Sequence, residues 1–141
     1  MESPRIILVD DHRIFRQGIK DLINIENIGK VIGEAADGNE FIELLTEHKP
    51  DLVLMDIDMP GLNGLQATKK ALEIMPDIKI IAMTAFDKED YLYSMIEIGA
   101  IGFLLKTAGL NEIENAIQSG SKGEKYYSLS SSTKNMNNFG R

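Results

Sequence analysis

The sequence contains no cysteine and no tryptophan, and only 6% of its 141 residues are aromatic. Without cysteine there can be no disulfide bond, thiolate metal site or cysteine nucleophile. No uncharged apolar run approaches the roughly 20 residues of a membrane-spanning helix, and the first residues lack the pattern of a secretory signal. We therefore expect a cytoplasmic protein with no membrane segment.

An excess of positive charge is also missing, because 15 Lys and Arg residues face 22 Asp and Glu residues, for a net charge of −7. Direct binding to nucleic acid or to an anionic membrane requires a basic surface, so neither is expected of this chain. The hydrophobic share of 43% is that of a globular domain, and the length suits one domain with its own core.

Short apolar runs alternate along the chain with longer stretches of helical period. This alternation predicts an α/β fold with a doubly wound, five-stranded parallel sheet and five helices. The predicted strands cover residues 5–10, 31–35, 51–56, 79–84 and 102–106. The first predicted helix is amphipathic, with Phe15, Ile19, Leu22 and Ile23 on one face. The other predicted helices cover residues 39–47, 64–75, 88–98 and 110–119, the last one ending at Gly120.

The composition changes after residue 122, where the chain becomes rich in Ser and Asn and loses its periodicity. We predict one domain over residues 1–122. Residues 123–141 are expected to form a flexible tail or a linker stub towards an effector domain.

The carboxyl ends of the predicted strands carry polar residues. The first strand ends in Asp10 and Asp11, the third in Asp56, the fourth in Thr84 and the fifth in Lys106. In a doubly wound sheet these ends meet at one edge, so the five side chains are expected to converge.

Three neighbouring carboxylates repel one another unless a cation lies among them. Mg²⁺ suits such a cluster, because it prefers oxygen ligands and needs only one or two protein carboxylates beside a phosphate oxygen. A remaining carboxylate can act as a nucleophile towards phosphorus. Lys106 and Thr84 are suited to stabilise the negative charge of the phosphoryl group.

Four segments, VDDH, LVLMDIDMPGLNG, IIAMTA and GFLLK, resemble in their order and spacing the motifs of response regulator receiver domains of two-component signalling. The resemblance covers about residues 5–122. It implies a flavodoxin-like sheet of strand order 2-1-3-4-5. The segments DDHRIFRQGIKDLI and GEKYYS are similar to the NarL/FixJ (LuxR-type) branch.

By this resemblance Asp56 is the phosphoacceptor and a Mg²⁺ ligand, and Asp11 is a second direct ligand. Asp10 is expected to bind the ion through water, and the backbone carbonyl of Asp58 to complete the metal site. The resemblance names no other cofactor.

The resemblance also assigns Thr84 to hydrogen-bond the phosphoryl group and Lys106 to pair with it. Phe103 is the switch aromatic that turns inward when Thr84 moves, and Pro60 and Gly64 match the family's loop turn. The family often has proline after its lysine, whereas this chain has Thr107, which leaves the conformation of that peptide bond open.

A sensor histidine kinase is the implied partner, and a homodimer is possible. NarL/FixJ members usually continue into a DNA-binding helix-turn-helix that this chain lacks. The chain is thus a stand-alone receiver or part of a transcription regulator, and contacts DNA only through that absent domain. The resemblance implies a phosphorylation-dependent signalling switch that is not an enzyme beyond its own phosphorylation and dephosphorylation.

Other interpretations stay open at this point. Acidic residues at strand ends often only cap the next helix. Asp56 and Asp58 also imitate the paired aspartates of haloacid-dehalogenase phosphatases, although that family places them after its first strand. A receiver-like interaction module that accepts no phosphate is a third possibility. His12 and His48 receive no role, and Ile14 is either a kinase contact or incidentally exposed.

Overall fold

The computed structural model describes residues 3–59, 61–85 and 89–128, and the elements named here lie within these ranges. Strands and helices alternate along the chain, and a sixth strand follows the last helix. In chain order they are β1 (Arg5–Val9), α1 (Arg13–Ile25), β2 (Lys30–Ala35), α2 (Gly38–Leu44), β3 (Leu52–Asp56), α3 (Gly64–Ile74), β4 (Ile80–Thr84), α4 (Glu89–Ile98), β5 (Gly102–Leu105), α5 (Leu110–Ser121) and β6 (Tyr126–Ser128).

The strands form one parallel sheet of order β2-β1-β3-β4-β5-β6. The prediction of a doubly wound parallel sheet with five helices is confirmed, and so is the order 2-1-3-4-5 for the first five strands. The chain order reverses direction between β1 and β3, which makes the carboxyl ends of these two strands the switch point of the sheet.

Side chains of alternate strand positions enter two separate cores, one on each face of the sheet. Helices α2, α3 and α4 cover the first face, where their core residues include Phe41, Ala71 and Met95. Helices α1 and α5 cover the second face, represented by Ile23 and Ile117. Burial on both faces explains why the strands are almost entirely apolar up to their polar ends.

The prediction that Gly120 ends the fifth helix is wrong, because α5 continues to Ser121. A Cβ atom at Gly120 would lie 2.8 Å from Ile81 and 2.9 Å from Leu52. This glycine therefore permits close packing of α5 on the sheet and does not stop the helix. The predicted start of the fourth helix, Lys88, lies outside the described residues.

The five predicted strands are present, and a short sixth strand, β6, which was not predicted, lies within residues 123–141, the segment expected to be a flexible tail. Tyr126 donates its backbone N–H to the Ile101 carbonyl oxygen at 3.1 Å, and Tyr127 stacks on Phe103 with ring centroids 4.8 Å apart. The stacking of Tyr127 on Phe103 thus helps the three residues of β6 to pair with the edge of the sheet. For residues 129–141, which lie outside the described ranges, and for the domain boundary at residue 122, the expectation stays a prediction.

None of the helices in the described ranges combines the length and the apolar character that crossing a bilayer requires.

Replacing Gly102 with alanine should detach β6 from the sheet. A Cβ atom there would collide with the Tyr126 carbonyl oxygen, whereas a Cβ atom at Gly109 would meet nothing within 4 Å. We expect the backbone amide of Tyr126 to exchange with solvent at least about tenfold faster in Gly102→Ala than in wild type or Gly109→Ala. Unchanged amide protection in Gly102→Ala, measured by NMR hydrogen exchange, would contradict this account of β6.

Candidate functional site

The carboxylates predicted to converge do meet at the switch point. Val9 of β1 is in register with Met55 of β3, so the residues that follow them, Asp10 and Asp56, stand side by side. Both side chains are only 1% exposed, whereas the side chain of Asp11 is 32% exposed at the rim. Because strand pairing fixes their backbone positions, the two buried carboxylates cannot move apart to relieve their repulsion.

Lys106 brings a positive charge to this basin from the end of β5, two strands away. Its Nζ lies 2.7 Å from Asp10 Oδ2 and 3.2 Å from Asp56 Oδ2, and its side chain is 8% exposed. The ammonium also lies 4.8 Å from the centroid of the Phe15 ring, within cation–π distance. The side chain is therefore held over the two carboxylates and is not free in solvent.

The donor set of the basin fits a divalent cation. Ligand atoms from Asp10, Asp11, His12 and Asp56 all lie within 4.8 Å of one another. Asp10 Oδ2 and Asp56 Oδ2 are buried and accept no well-directed hydrogen bond from the described residues, although Lys106 stands within ion-pair distance of both. Three carboxylates exceed the charge of one ammonium, and hard oxygen donors are the ligands that Mg²⁺ prefers.

The environment of Asp56 disfavours its negative charge. Burial is the largest cause and raises the pKa of Asp56 to about 7, against an ordinary value of 3.8, and the neighbouring Asp10 charge acts in the same direction. The hydrogen bond from the Asp58 N–H and the nearby charge of Lys106 oppose this rise in pKa. Asp56 is thus a carboxylate that an added cation would stabilise in its ionised form.

Of the other predicted site residues, Asp58 and Thr84 contact residues of this basin, whereas Phe103 lies in the core on the first face of the sheet. Asp58 donates its backbone N–H to Asp56 Oδ1 at 3.0 Å. Thr84, fully buried at the end of β4, accepts the Lys106 backbone N–H on its carbonyl oxygen at 2.8 Å. Phe103 is fully buried.

The loop after Asp56 is also part of the basin's framework. Gly64, at the start of α3, packs so closely that a Cβ atom there would collide with the Asp56 carbonyl oxygen and lie 2.6 Å from Ile57 Cα. Glycine therefore allows α3 to begin directly against the backbone that carries Asp56. Pro60, the other residue of the predicted loop turn, lies outside the described residues.

No role was predicted for His12, yet the structure places its ring at the mouth of the basin. His12 Nδ1 lies 3.1 Å from Asp10 Oδ1, 3.5 Å from Asp11 Oδ1 and 3.0 Å from Lys106 Nζ. Its backbone N–H donates to Asp10 Oδ1 at 2.8 Å. The only signal in the sequence was its position directly after the acidic pair.

Arg16 is a second residue that sequence analysis left without a role. It donates a hydrogen bond to the Asp10 carbonyl oxygen, and Glu34 of β2 holds it through an ion pair of 3.1 Å. Burial alone would raise the pKa of Glu34, but hydrogen bonds from Lys20 and Arg16 and their charges outweigh burial and lower it. This chain of contacts fixes the backbone of the loop that presents Asp10.

The fold and the basin together define a flavodoxin-like α/β domain with a buried acidic site at its switch point. Residues 6–118 match the response regulator receiver domain family, and the chain belongs to this family. Members are signalling modules and not enzymes in the usual sense.

Comparison with curated proteins agrees with this assignment. The chain is 43% identical over 120 residues to the transcriptional regulatory protein LiaR of Bacillus subtilis, covering 85% of this chain and 57% of LiaR. It is 39% identical over 136 residues to the oxygen regulatory protein NreC of Staphylococcus aureus, covering 96% of this chain and 63% of NreC. The chain thus spans about three fifths of the length of these relatives.

Solved structures give the same result. A LuxR-family two-component response regulator from Aurantimonas sp. SI85-9A1 superimposes with a TM-score of 0.88 at 30% identity, covering 97% of each chain. The receiver domain of the response regulator NarL from Mycobacterium tuberculosis has a TM-score of 0.81 at 34% identity, with 88% of this chain and all of that chain covered. These similarities support the NarL/FixJ (LuxR-type) branch.

The raised pKa of Asp56 predicts a pH-dependent loss of stability in the metal-free protein. The folded state holds a proton on Asp56 up to about pH 7, whereas the unfolded state releases it near pH 3.8, so stability falls as pH rises through this window. Asp56→Asn removes the ionisable group and with it the free-energy cost of burying a charge at this position. We expect the variant to be more stable than wild type by about 1 to 4 kcal/mol at pH 8, and equally stable near pH 4.

Urea unfolding in the presence of EDTA at several pH values measures this difference. Asp77→Asn, which removes a carboxylate from an exposed turn, is the matched control and should follow wild type. If the free energy of unfolding of Asp56→Asn changes with pH in parallel with that of wild type, the predicted cost of ionising Asp56 is contradicted.

Proposed function

We propose that the chain is a phosphorylation-dependent signalling switch that accepts a phosphoryl group on Asp56 from a sensor histidine kinase in the presence of Mg²⁺. The observation that carries this proposal is the meeting of Asp56 with Asp10, Asp11 and Lys106 in one buried basin. Three distant segments of the chain supply the charges that phosphoryl transfer to a carboxylate requires.

The site residues divide into cation ligands and phosphoryl contacts. Asp11 and Asp56 would bind Mg²⁺ directly, Asp10 would bind through water, and the Asp58 backbone carbonyl would complete the set. When bound, Mg²⁺ offsets the repulsion among the carboxylates and the charge of the phosphoryl oxygens.

Asp56 is the nucleophile of the proposed transfer. One of its carboxylate oxygens forms a bond to phosphorus while the bond between phosphorus and the kinase histidine nitrogen breaks, and that nitrogen keeps the electron pair. The hydrogen bond from the Asp58 N–H to Oδ1 holds the carboxylate in place. The same domain then hydrolyses the resulting acyl phosphate with water.

Lys106 and Thr84 respond to the new charge. The Lys106 ammonium already contacts Asp56 Oδ2 at 3.2 Å and would pair with a phosphoryl oxygen attached there. Thr84 ends the neighbouring strand and would donate its hydroxyl to the same group. Movement of Thr84 would change the packing of Phe103 and so bias the surface formed by α4 and β5, for which a coupling of a few kcal/mol suffices.

The proposed partners are a kinase, a second copy of the chain and an effector domain. Ile14, 90% exposed on the first turn of α1 beside the basin, is the residue we assign to contact with the kinase. The named functions of LiaR and NreC, transcriptional and oxygen regulation, belong to proteins longer than this chain. For this chain we propose output by altered association, as a homodimer or through a DNA-binding effector domain outside the sequence given.

The alternatives lack comparable support. A haloacid-dehalogenase phosphatase is at odds with the family match over residues 6–118. An inert receiver-like module would not need a buried acidic cluster paired with a lysine, since that cluster costs stability.

Incubation with acetyl phosphate and Mg²⁺ should add one phosphoryl group to Asp56. We expect one covalent equivalent that decays over time, and none in Asp56→Asn or in the presence of EDTA, because the nucleophile or the cation is then missing. Intact-protein mass spectrometry and peptide mapping measure the adduct. Labelling of Asp56→Asn would refute the assignment, and sustained turnover of a phosphomonoester would favour the phosphatase.

Lys106→Gln should slow this labelling by about 10- to 100-fold, because the ammonium beside Asp56 is lost. Lys69→Gln, which neutralises an exposed lysine of α3, is the control for the change in net charge and should label at the rate of wild type. Equal rates for both variants, measured by a phosphoprotein gel time course, would remove Lys106 from the mechanism.

A further inference from the structure

His12 is the one nitrogen donor among the ligand atoms that cluster in the described part of the basin. Its Nδ1 lies within 4 Å of an oxygen atom of each of the three carboxylates, at 3.1 Å from Asp10, 3.5 Å from Asp11 and 3.9 Å from Asp56. The imidazole Nδ1 thus lies at the exposed mouth of a site whose other clustered ligand atoms are carboxylate oxygens.

The contacts of Nδ1 make opposite demands on this atom. Towards Asp10 Oδ1 the nitrogen must donate a proton, whereas towards the Lys106 ammonium, 3.0 Å away, it must accept one. A single ring nitrogen cannot do both, so one close contact is left unfavourable. A cation among Nδ1, Asp10 and Asp11 relieves the contact between Nδ1 and Asp10, because both groups then present a lone pair to positive charge. Lys106 no longer needs Nδ1 as an acceptor, since its ammonium also pairs with Asp10 Oδ2 and Asp56 Oδ2.

The spacing of the donors agrees with coordination. Neighbouring ligands of an octahedral ion with bonds of about 2.1 Å are about 3 Å apart. The separations of His12 Nδ1 from Asp10 and Asp11 are close to this value. A second feature points to a ligand independently: Asp10 Oδ2 and Asp56 Oδ2 are buried, aimed into the basin and without a well-directed hydrogen bond from the described residues.

We propose that His12 is a protein ligand that gives this site selectivity for divalent transition metals such as Co²⁺ and Ni²⁺ over Mg²⁺. Imidazole nitrogen suits the transition ions, whereas Mg²⁺ prefers oxygen and gains little from it. The His12 side chain is 62% exposed, so the ring can leave the basin when Mg²⁺ binds and stay when a transition ion binds. The inference rests on the proposed cation site but not on phosphoryl transfer.

Calorimetric titration of the full untagged chain with Co²⁺ and with Mg²⁺ tests this selectivity. His12→Ala should weaken Co²⁺ binding by at least about tenfold and leave Mg²⁺ binding unchanged or tighter. His48→Ala, which removes the only other histidine, is the matched control and should bind both ions as wild type does. His12→Asn, which keeps a polar side chain and the backbone N–H to Asp10, should behave as His12→Ala.

The proton NMR spectrum of the Co²⁺ form gives a second readout. A ligated imidazole shows a strongly shifted exchangeable ring proton, which we expect in wild type and His48→Ala and not in His12→Ala. If Co²⁺ affinity and this signal survive in His12→Ala while Mg²⁺ and acetyl phosphate still label Asp56, this inference falls and the proposed function stands. If wild type binds neither ion, both fall.

Discussion

Carboxylates that share a small buried volume cannot all remain anions unless positive charge lies among them, and most features of this site follow from that constraint. Asp10 and Asp56 are buried side by side, Asp11 closes the rim, and Lys106 supplies a single ammonium between the first two. Burial, and after it the neighbouring Asp10 charge, raise the pKa of Asp56. A site in this condition responds strongly to any change of charge, because either a cation or a phosphoryl group alters the balance that holds Lys106 in place.

The fold prevents the molecule from relieving this repulsion by small movements. Parallel pairing of β1 with β3 fixes the spacing of the two buried carboxylates, and apolar cores on both faces hold the strands in register. Gly64 lets α3 begin directly against the backbone of Asp56, and Arg16 binds the carbonyl oxygen of Asp10. Stability gained in the two cores therefore offsets an electrostatic cost that is concentrated at the switch point, where a functional ligand can remove it.

Sequence analysis could predict the convergence of Asp10, Asp56 and Lys106, because a doubly wound sheet brings the ends of its strands to one edge. It could not predict features that depend on packing between distant segments. A glycine in a helical pattern marks either the end of the helix or a close contact, and the sequence does not distinguish these two cases at Gly120. The three residues of β6 are too few to show the alternation of apolar and polar residues typical of a strand. The direction of the His12 side chain is likewise set by the loop conformation after β1, which no sequence pattern encodes.

The sixth strand links the charged basin to the C-terminal end of the described chain. Phe103 follows Gly102 on β5 and pairs in register with Ala82 on one side and with Tyr127 on the other. Its ring stacks on that of Tyr127, whose buried hydroxyl has no hydrogen-bond partner among the described residues, so the tyrosine side chain is held by packing. Packing without a hydrogen bond tolerates little displacement of the partner ring. If Phe103 rearranges as proposed, the attachment of β6 to the edge of the sheet would weaken, because the stacking on Tyr127 is part of that attachment.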